Sequence, residues 1–473
     1  MANEGSSSAS VSMSAALAND DLTSWVRPRR QLSAARARQR RIYRRRRAAV
    51  LAVFAVLVSG IAWLVSGAGS PRLLISSDPG TLAQRPVHLP TIVPTVAATT
   101  TFPGTPAALP IPPTGQSAVY VQGIGVLGAT PAERSVPMAS VTKVMTAVIV
   151  LHDHPLGNGS GPTFTMTASD NAAYVHAATN DDSNLLVVAG ERLSERKLLE
   201  ALMIPSADNI ADYLARWDAG SIRAFVRKMN AMAAALGLKH THYADASGLN
   251  PDSTSTAIDQ AILGAYAMDV PGMISVEDHP TMVFPIEGAV INYNPVVGQD
   301  GVIGLKSGFT SASQGCLVTA ARRIVGGRKV LIMSSTLGQP FNLPEEGEID
   351  LRLLDAATAD LKARRIMSAY QPVGEVVAGW SRERPDVVVT TAVTAIGWGG
   401  LVVATVVKAA IPPRPATGRG WKSGTTMAIV ELTTPAGVQF VARAKLSRFF
   451  SAAPLGWSPS RVTSSTARAA SHS

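Results

Sequence analysis

Hydrophobic and polar positions divide the chain into stretches of different character. The most apolar stretch is a run of 22 uncharged residues, Ala48 to Gly69. At about 1.5 Å per helical residue, such a run can cross a hydrocarbon core of about 30 Å. It predicts a single transmembrane helix over residues 48–69. The 47 residues before it are very long for the start of a cleaved signal peptide, which favours an uncleaved anchor.

The next stretch, residues 70–116, has short apolar segments separated by proline and threonine, and it shows no sustained helical or strand period. This composition favours an extended spacer between the membrane and a folded domain. At the other end of the chain, residues 455–473 are polar and predicted to be disordered.

Residues 117–366 show the patterns of both strands and helices. An early strand pair is predicted at "SAVYVQGIGVLGA", and helical periods follow from Ser140 to about residue 268. Late β-like runs include "GCLVTAARRI" and "KVLIMSSTL", and the amphipathic stretch "EIDLRLLDAATADLKARRIM" ends the domain. Helices clustered between early and late strands predict an α+β fold with a mostly antiparallel sheet.

The pattern changes again over residues 370–446. Short β-branched runs such as "DVVVTTAVTAI" and "TTMAIVELTT" are separated by glycine and proline. This spacing predicts a second, small all-β domain.

Charge is concentrated at the N-terminal end. The formal net charge is +10, and residues 1–47 hold eleven arginines against three acidic residues. Since positive residues beside a spanning segment stay inside, this tail is predicted to be cytoplasmic. The rest of the chain is nearly neutral, so nucleic-acid binding is not expected. The single cysteine, Cys316, excludes an intramolecular disulfide and is interpreted as a small buried residue.

Candidate chemistry begins at "ASVTKVMTA", where Ser140 and Lys143 fall in the first turn of a predicted helix. Residues three apart share a helix face, and the helix N-terminus adds partial positive charge. A neutral lysine there can accept the hydroxyl proton and activate the serine for acylation. The alternative is an N-cap serine with a surface lysine. "SERK", Ser194 to Lys197, has the same spacing, and its interior charges favour that alternative.

Two further motifs each have two candidates. A second polar element is supplied by "SDN" at residues 169–171 or by "SADN" at residues 206–209. A Lys-Ser-Gly motif begins at Lys306, before a β run, or at Lys422, in a connection rich in proline and glycine. The β context favours Lys306.

These stretches, with "ERLSERKLLEALMIPSADNIADYLA" and "MNAMAAALGLKHTHYADASGL", resemble the penicillin-binding D-alanyl-D-alanine carboxypeptidases, serine acyl enzymes that trim peptidoglycan stem peptides. The resemblance covers about residues 117–337 and selects Ser206 and Lys306 over the other candidates. It implies a catalytic domain of the β-lactamase/transpeptidase-like fold, with an antiparallel sheet and a helical cluster. The small all-β domain resembles one that often follows it.

The resemblance also implies roles. Ser140 would attack the carbonyl between two terminal D-alanines, Lys143 would accept its proton, and Ser206 would relay a proton to the leaving amine. Backbone N–H groups of Ser140 and Phe309 would form the oxyanion hole. Substrate binding is assigned to Asp208, Asn209, Lys306, Ser307, Gly308 and Phe309. No metal or cofactor is implied, and a β-lactam would acylate Ser140 by the same route.

Three positions depart from the family pattern. Asp208 replaces the usual asparagine, and a carboxylate near Lys143 would stabilise its ammonium form, which opposes a neutral base. Either Asp208 points away and Asn209 substitutes, or Lys306 offsets the charge. Ser307 replaces threonine but keeps the hydroxyl. The family often has a basic residue that binds the substrate carboxylate, and Gln339 stands at the comparable position here, which implies weaker substrate binding or a different substrate preference.

The sequence therefore predicts a serine-type D-alanyl-D-alanine carboxypeptidase with peptidoglycan stem peptides and β-lactam antibiotics as partners. We expect a single-pass anchor in a bacterial cytoplasmic membrane, with the catalytic domain outside. The alternatives are a peptidoglycan endopeptidase, a β-lactamase-like hydrolase built on "SDN", and a wall-binding scaffold whose site is impaired by Asp208. Stem-peptide preference and the role of the β domain stay open.

Overall fold

The computed structural model describes residues 89–157, 159–340, 343–413, 419–454 and 457. These residues belong to one compact unit, which spans residues 86–473. The predicted cytoplasmic tail and transmembrane helix lie outside the described residues, as does nearly all of the predicted C-terminal tail. Among the described residues, no helix has the length and apolar character needed to cross a membrane.

Helices are concentrated in the first half of the described chain. A 3-10 turn, Ala139–Thr142, runs directly into the first of them. The α-helices are α1 Lys143–Asp153, α2 Ala168–Thr179, α3 Glu195–Met203, α4 Asp208–Ala219, α5 Ile222–Ala235, α6 Ala257–Asp269, α7 Met273–Glu277 and α8 Leu343–Asp360.

Most strands fall before and after this helical stretch, and three short ones lie within it. The early and middle strands are β1 Thr91–Pro94, β2 Thr99–Thr101, β3 Gln116–Val121, β4 Gly125–Ala129, β5 Val136–Pro137, β6 Thr163–Thr165, β7 Arg192–Ser194, β8 Thr254–Ser255, β9 Thr281–Phe284, β10 Gly288–Ile291, β11 Val302–Thr310, β12 Gln314–Val325 and β13 Arg328–Gln339. The late strands are β14 Lys362–Met367, β15 Pro372–Val377, β16 Asp386–Val389, β17 Val393–Gly397, β18 Val402–Ala409, β19 Gly420–Trp421, β20 Thr426–Thr434, β21 Gly437–Leu446 and β22 Phe450–Ser451.

The central sheet has five antiparallel strands in the order β11-β12-β13-β3-β4. β12 and β13 form a hairpin whose two turn residues, Gly326 and Gly327, have φ values of 55° and 78°. Two consecutive positive φ values match the twist of a two-residue hairpin, which is why glycine suits both positions. The long strands of this hairpin support β11 at the edge of the sheet, and β11 carries the Lys306 motif.

Two hydrophobic layers cover the sheet. Helices α1 and α3 to α7 contribute to one buried cluster, in which α1 is central and buried along residues 143–151. α8 covers the other face, and its Leu353 and Leu354 share a second buried cluster with Val387 and Val430 of the late strands. The late β region therefore packs against the sheet and α8. The mixed α and β architecture agrees with the fold predicted from the sequence.

Residues 70–116 are predicted to form an extended spacer. In the part that the structure describes, this segment instead contains two strands that pair with the late β region. β1 pairs with β15 and β2 pairs with β18, so these two strands form the edges of a seven-stranded sheet of the late β region. Edge strands tolerate proline and protect the exposed edges of neighbouring strands. The spacer prediction is wrong for these residues because the pairing partners lie more than 270 positions away.

The boundary at residue 366 also differs. The sequence analysis treats "EIDLRLLDAATADLKARRIM" as one amphipathic stretch that ends the first domain, but α8 ends at Asp360 and residues 362–367 form β14, which pairs with β17. A short apolar run fits both the helical and the strand period. Pairing with a strand that is distant in the sequence therefore determines which structure forms. β14 therefore belongs to the late β region.

Candidate active site

Ser140 lies in the 3-10 turn between β5 and α1, and it is held from two sides. A Cβ added to Gly308 of β11 would lie 2.7 Å from the Ser140 backbone nitrogen, and one added to Gly248 would overlap the Ala139 carbonyl. Ala139 itself has φ 47°, a left-handed value that is costly for a residue with a side chain. No side-chain cap hydrogen bond forms at the start of this turn or of α1. Ser140 is therefore positioned for contacts other than N-capping.

Lys143 points at the serine from within the protein. Its side chain is fully buried, and Nζ lies 2.7 Å from Ser140 Oγ. Nζ also donates to Asp208 Oδ1 at 2.5 Å and to the Ser247 carbonyl at 3.0 Å. Since an ammonium has three donors, this environment satisfies the protonated form. Lys143 is placed to take the Ser140 proton only after it has lost one.

The two neighbouring candidates of the second motif, at the start of α4, have different hydrogen-bond partners. Asp208 faces Lys143, whereas Asn209 accepts a hydrogen bond from the Leu185 N–H and donates one to the Leu185 carbonyl. Of the two arrangements left open by the sequence, the structure therefore brings the carboxylate to the lysine. Burial raises the pKa of Asp208, while the adjacent Lys143 opposes that rise.

Ser206 precedes α4 and is 2% exposed. Its φ of 64° is a second left-handed value at this site, and its Oγ has no hydrogen-bond partner. A buried hydroxyl without a partner is unusual and is available to a substrate or a proton relay. Backbone strain at Ala139 and Ser206 together is typical of a functional site.

The third motif lies on β11, next to the serine. Lys306 is fully buried, and its Nζ donates to the Ser307 carbonyl at 2.9 Å. Burial and the nearby Lys143 lower its pKa well below the usual range, against the effects of Asp208 and Glu277. Ser307 is buried, while Phe309 is 59% exposed at the end of the strand.

Two features of the site are not among the site residues predicted from the sequence. The loop from Asp245 to Ser253 is organised by the Asp245 carboxylate, which accepts from the Gly248 N–H and the Ser253 hydroxyl. The loop presents the Ser247 carbonyl to Lys143. Glu277, at the end of α7, is fully buried with neither carboxylate oxygen hydrogen-bonded, and burial raises its pKa well above the usual range.

The remaining candidates lie elsewhere. Ser169 is an exposed residue of α2, and Asn171 donates to the Val187 carbonyl. Lys422 is exposed in a turn after β19. Gln339 is fully buried; its Nε2 donates to the Thr114 carbonyl, and its Oε1 has no hydrogen-bond partner.

The fold places the molecule in a known structural class. Penicillin binding protein 5 from Haemophilus influenzae has a similar structure, with a TM-score of 0.53 at 19% identity, over 73% of this chain and 99% of that chain. This similarity shows a shared fold of mixed helix and sheet.

Sequence comparison gives the family. A profile described as D-alanyl-D-alanine carboxypeptidase matches residues 116–334, which include every predicted site residue. The D-alanyl-D-alanine carboxypeptidase of Streptomyces sp. (strain K15) is 30% identical over 42% of this chain and 72% of its own length. DacB2 of Mycobacterium tuberculosis (strain ATCC 25618 / H37Rv) is 30% identical over 41% of this chain and 65% of its own length. The chain belongs to the D-alanyl-D-alanine carboxypeptidase family.

Coverage of the relatives is incomplete. The chain spans 61%, 65% and 62% of the length of three curated relatives, of which the third, from Escherichia coli (strain K12), is named a D-alanyl-D-alanine endopeptidase.

Proposed function

We propose that this protein is a serine-type D-alanyl-D-alanine carboxypeptidase that removes the terminal D-alanine from peptidoglycan stem pentapeptides. The observation that carries the proposal is the 2.7 Å contact between Lys143 Nζ and Ser140 Oγ at a buried helix start. The Lys306 motif runs alongside on β11, where Gly308 leaves room for the Ser140 backbone. Family membership and the names of relatives support the substrate class.

The proposed reaction has two steps. Ser140 Oγ attacks the penultimate D-alanine carbonyl while Lys143 accepts its proton, and the bond to the terminal D-alanine breaks as that amine gains a proton through Ser206. Water then hydrolyses the acyl ester. The backbone N–H groups of Ser140 and Phe309 stabilise the oxyanion, a contribution typically worth about 3–4 kcal/mol for each donor.

The third motif would hold the other end of the substrate. The Ser307 hydroxyl binds the terminal carboxylate, and the negative charge of that carboxylate favours the protonated form of Lys306, which then supplies positive field. β-Lactams acylate Ser140 by the same first step.

Asp208 modifies this chemistry. Its carboxylate lies 2.5 Å from Lys143 Nζ and competes with Ser140 Oγ for that nitrogen. We infer that acylation is slower than it would be with an uncharged side chain at this position.

The activity is tested with the full chain and a pentapeptide ending in D-Ala-D-Ala. Release of free D-alanine by the wild type, but not by Ser140→Ala, supports a carboxypeptidase. The endopeptidase alternative, favoured by the name of one relative, predicts cleavage of cross-linked muropeptides without D-alanine release. Rapid penicillin turnover without either activity supports a β-lactamase-like hydrolase. Failure to react with penicillin or peptide supports a scaffold.

We also propose that residues 48–69 anchor the protein in a bacterial cytoplasmic membrane with the catalytic domain outside. The uncharged run and the arginines before it support this orientation. In intact spheroplasts, external protease should degrade the catalytic domain and spare an N-terminal tag. Recovery of the full chain in the soluble fraction without detergent contradicts the proposal.

A further inference from the structure

The two ends of the seven-stranded sheet of the late β region carry different loops. Its strands run antiparallel to their neighbours, so successive loops alternate between the two ends. One end is made of the loops that follow β15 and β21 and of the connection from β18 to β20. We name it the basic end; its described residues are 378–385, 410–413, 419–425 and 447–449.

Positive charge is concentrated at the basic end. Its loops hold one acidic residue, Glu383, and five basic residues: Arg382, Arg384, Arg419, Lys422 and Arg448. All six side chains are exposed, and within the described parts of the chain none of the five basic residues forms an ion pair. The ends of the adjoining strands are balanced, with Lys408, Arg443 and Lys445 against Glu375, Asp386 and Glu431. The loops therefore give this end an excess of positive charge.

The opposite end of the same sheet has no such excess. Its loops, all within the described residues, hold no charged side chain; they are residues 368–371, 390–392, 398–401 and 435–436. The turn at residues 435–436 faces the central sheet, because Thr434 Oγ1 donates to the Gly123 carbonyl at 3.0 Å in the turn between β3 and β4. The basic end therefore points away from the central sheet.

The chain reaches the sheet at the basic end. The first residue of β1, Thr91, is paired with Val377, the last residue of β15. Val377 directly precedes the loop of residues 378–385. Residues 70–90 join β1 to the predicted transmembrane segment, and at about 3.5 Å per residue they can span at most ~70 Å. The basic end is therefore the end of the sheet that the chain enters from the proposed anchor.

Aromatic side chains lie among these basic residues. Phe449 follows Arg448 and is 48% exposed, and Trp380 lies half-buried in the 378–385 loop. The indole Nε1 of Trp380 donates to the Ser451 carbonyl at 3.1 Å, which holds the ring beside β22. Aromatic residues are enriched at membrane–water interfaces, and basic residues bind the phosphates of anionic lipids. This combination favours a lipid interface over a soluble anion, for which the charges alone would suffice.

We propose that the basic end binds the anionic phospholipid headgroups of the membrane that anchors the chain. The exposed basic side chains contact headgroup phosphates, and the Phe449 ring enters the boundary between headgroups and acyl chains. The inference rests on the proposed anchor and is independent of the acylation residues. It gives the late β region a role that the sequence left open.

The test uses the full chain reconstituted in phospholipid vesicles. A nitrobenzoxadiazole fluorophore is attached to Ser423→Cys, in an exposed turn of the basic end, and in a second sample to Tyr370→Cys, which is 72% exposed at the opposite end. The natural cysteine, Cys316, is buried. In vesicles that contain phosphatidylglycerol, emission from residue 423 should shift to shorter wavelength, whereas emission from residue 370 should not. An unshifted residue 423 in chains that float with the vesicles overturns the proposal.

Charge removal tests whether the phosphates are responsible. Each basic residue near an anionic membrane adds to binding, so Arg382→Gln/Arg384→Gln should lower the ratio of bound to unbound basic ends by about tenfold or more and reduce the shift at residue 423. Arg223→Gln/Arg227→Gln removes two exposed charges from α5 and should keep the shift. Sodium chloride at about 0.5 M should reduce it by screening. A shift that is equally large in phosphatidylcholine vesicles, or that the first double variant keeps, contradicts the proposal.

Other partners give different results. A shift at residue 423 that appears in detergent without phospholipid and grows with protein concentration means that a second copy of the chain binds the basic end. An equal shift with soluble polyphosphate in place of vesicles means a soluble polyanion. Either result contradicts lipid binding. Chains that do not float with the vesicles refute the anchor and this contact together, whereas D-alanine release, measured on the same samples, reports only on the proposed reaction.

Discussion

Two Ser-x-x-Lys tetrads in this chain have the same spacing and opposite environments. Lys143 is fully buried and bonds Ser140 Oγ at 2.7 Å. Lys197 is 32% exposed and pairs with Glu200, while Ser194 caps α3 by accepting from the Lys197 backbone N–H. Spacing brings a serine and a lysine to one helix face, but it does not decide what they do there.

The helices that carry the tetrads explain the difference. α1 is buried on all sides, and Asp208 and the Ser247 carbonyl replace the water that its lysine would otherwise contact. α3 is also largely buried, but Arg196 and Lys197 in its first turn are half-buried, and Lys197 pairs with Glu200 at the protein surface. The tetrad that we propose to be reactive is the one in which the surrounding fold binds the lysine.

Removing the serine and lysine side chains of the two tetrads should give the largest difference in acylation rate. Ser140→Ala and Lys143→Met should each lower the second-order rate of acylation by a fluorescent penicillin by about 10³-fold or more. Ser194→Ala and Lys197→Met should leave that rate within about twofold. A comparable loss in the second pair would remove the distinction between the tetrads.

The loop that supports the first tetrad should matter next. A methyl group at Gly248 would overlap the Ala139 carbonyl, whereas Gly237 has a similar φ, 72° against 89°, and open space around it. Displacing the nucleophile by about 1 Å can cost about 100-fold, so Gly248→Ala should slow acylation by roughly that factor. Gly237→Ala should introduce backbone strain without a steric clash, so it should lower the Tm and leave the acylation rate unchanged. Equal acylation rates for the two variants would contradict the positioning role of the loop.

Asp208 should have a smaller effect. Asp208→Asn removes the negative charge that competes with Ser140 Oγ for Lys143 Nζ, so acylation near neutral pH should become faster, by up to about tenfold. The measurement is the second-order rate of acylation by a fluorescent penicillin, with Asp212→Asn of the same helix as the control, because Asp212 pairs with Arg216 instead. Slower acylation of Asp208→Asn would show that Asp208 assists the reaction.

The smallest effect concerns stability. Ser194 caps α3, so Ser194→Ala should lower the free energy of unfolding by about 1 kcal/mol. Ser140→Ala removes no cap and should lower it by less. Urea unfolding of the two variants checks this, and an equal loss would mean that Ser140 also supports its helix.

Much of the fold follows from local pattern. The strand pair β3 and β4 and the hairpin of β12 and β13 have clear alternation and glycine turns, and α1 follows Ser140 as predicted. β1, β2 and β14 were missed because their partners lie far away in the chain.

The site was less predictable than the fold. Asp208 and Asn209 are neighbours in the first turn of α4 and point in different directions. The rotation of that turn decides which of them contacts Lys143, and residue spacing does not determine this rotation. Glu346 and Asp350 occupy positions that look like the polar side of an amphipathic helix, yet the late β region and the sheet bury them. Glu277 has no motif at all, and only its burial reveals it.

The central claim is that Ser140 is the nucleophile, and mapping a penicillin adduct tests it most directly. The intact full chain is incubated with benzylpenicillin, digested and analysed by mass spectrometry for the serine that carries the penicilloyl group. The account predicts one adduct, on the peptide that contains Ser140. An adduct on Ser194, Ser169 or Ser206 in its place, or none on the wild type, would contradict it.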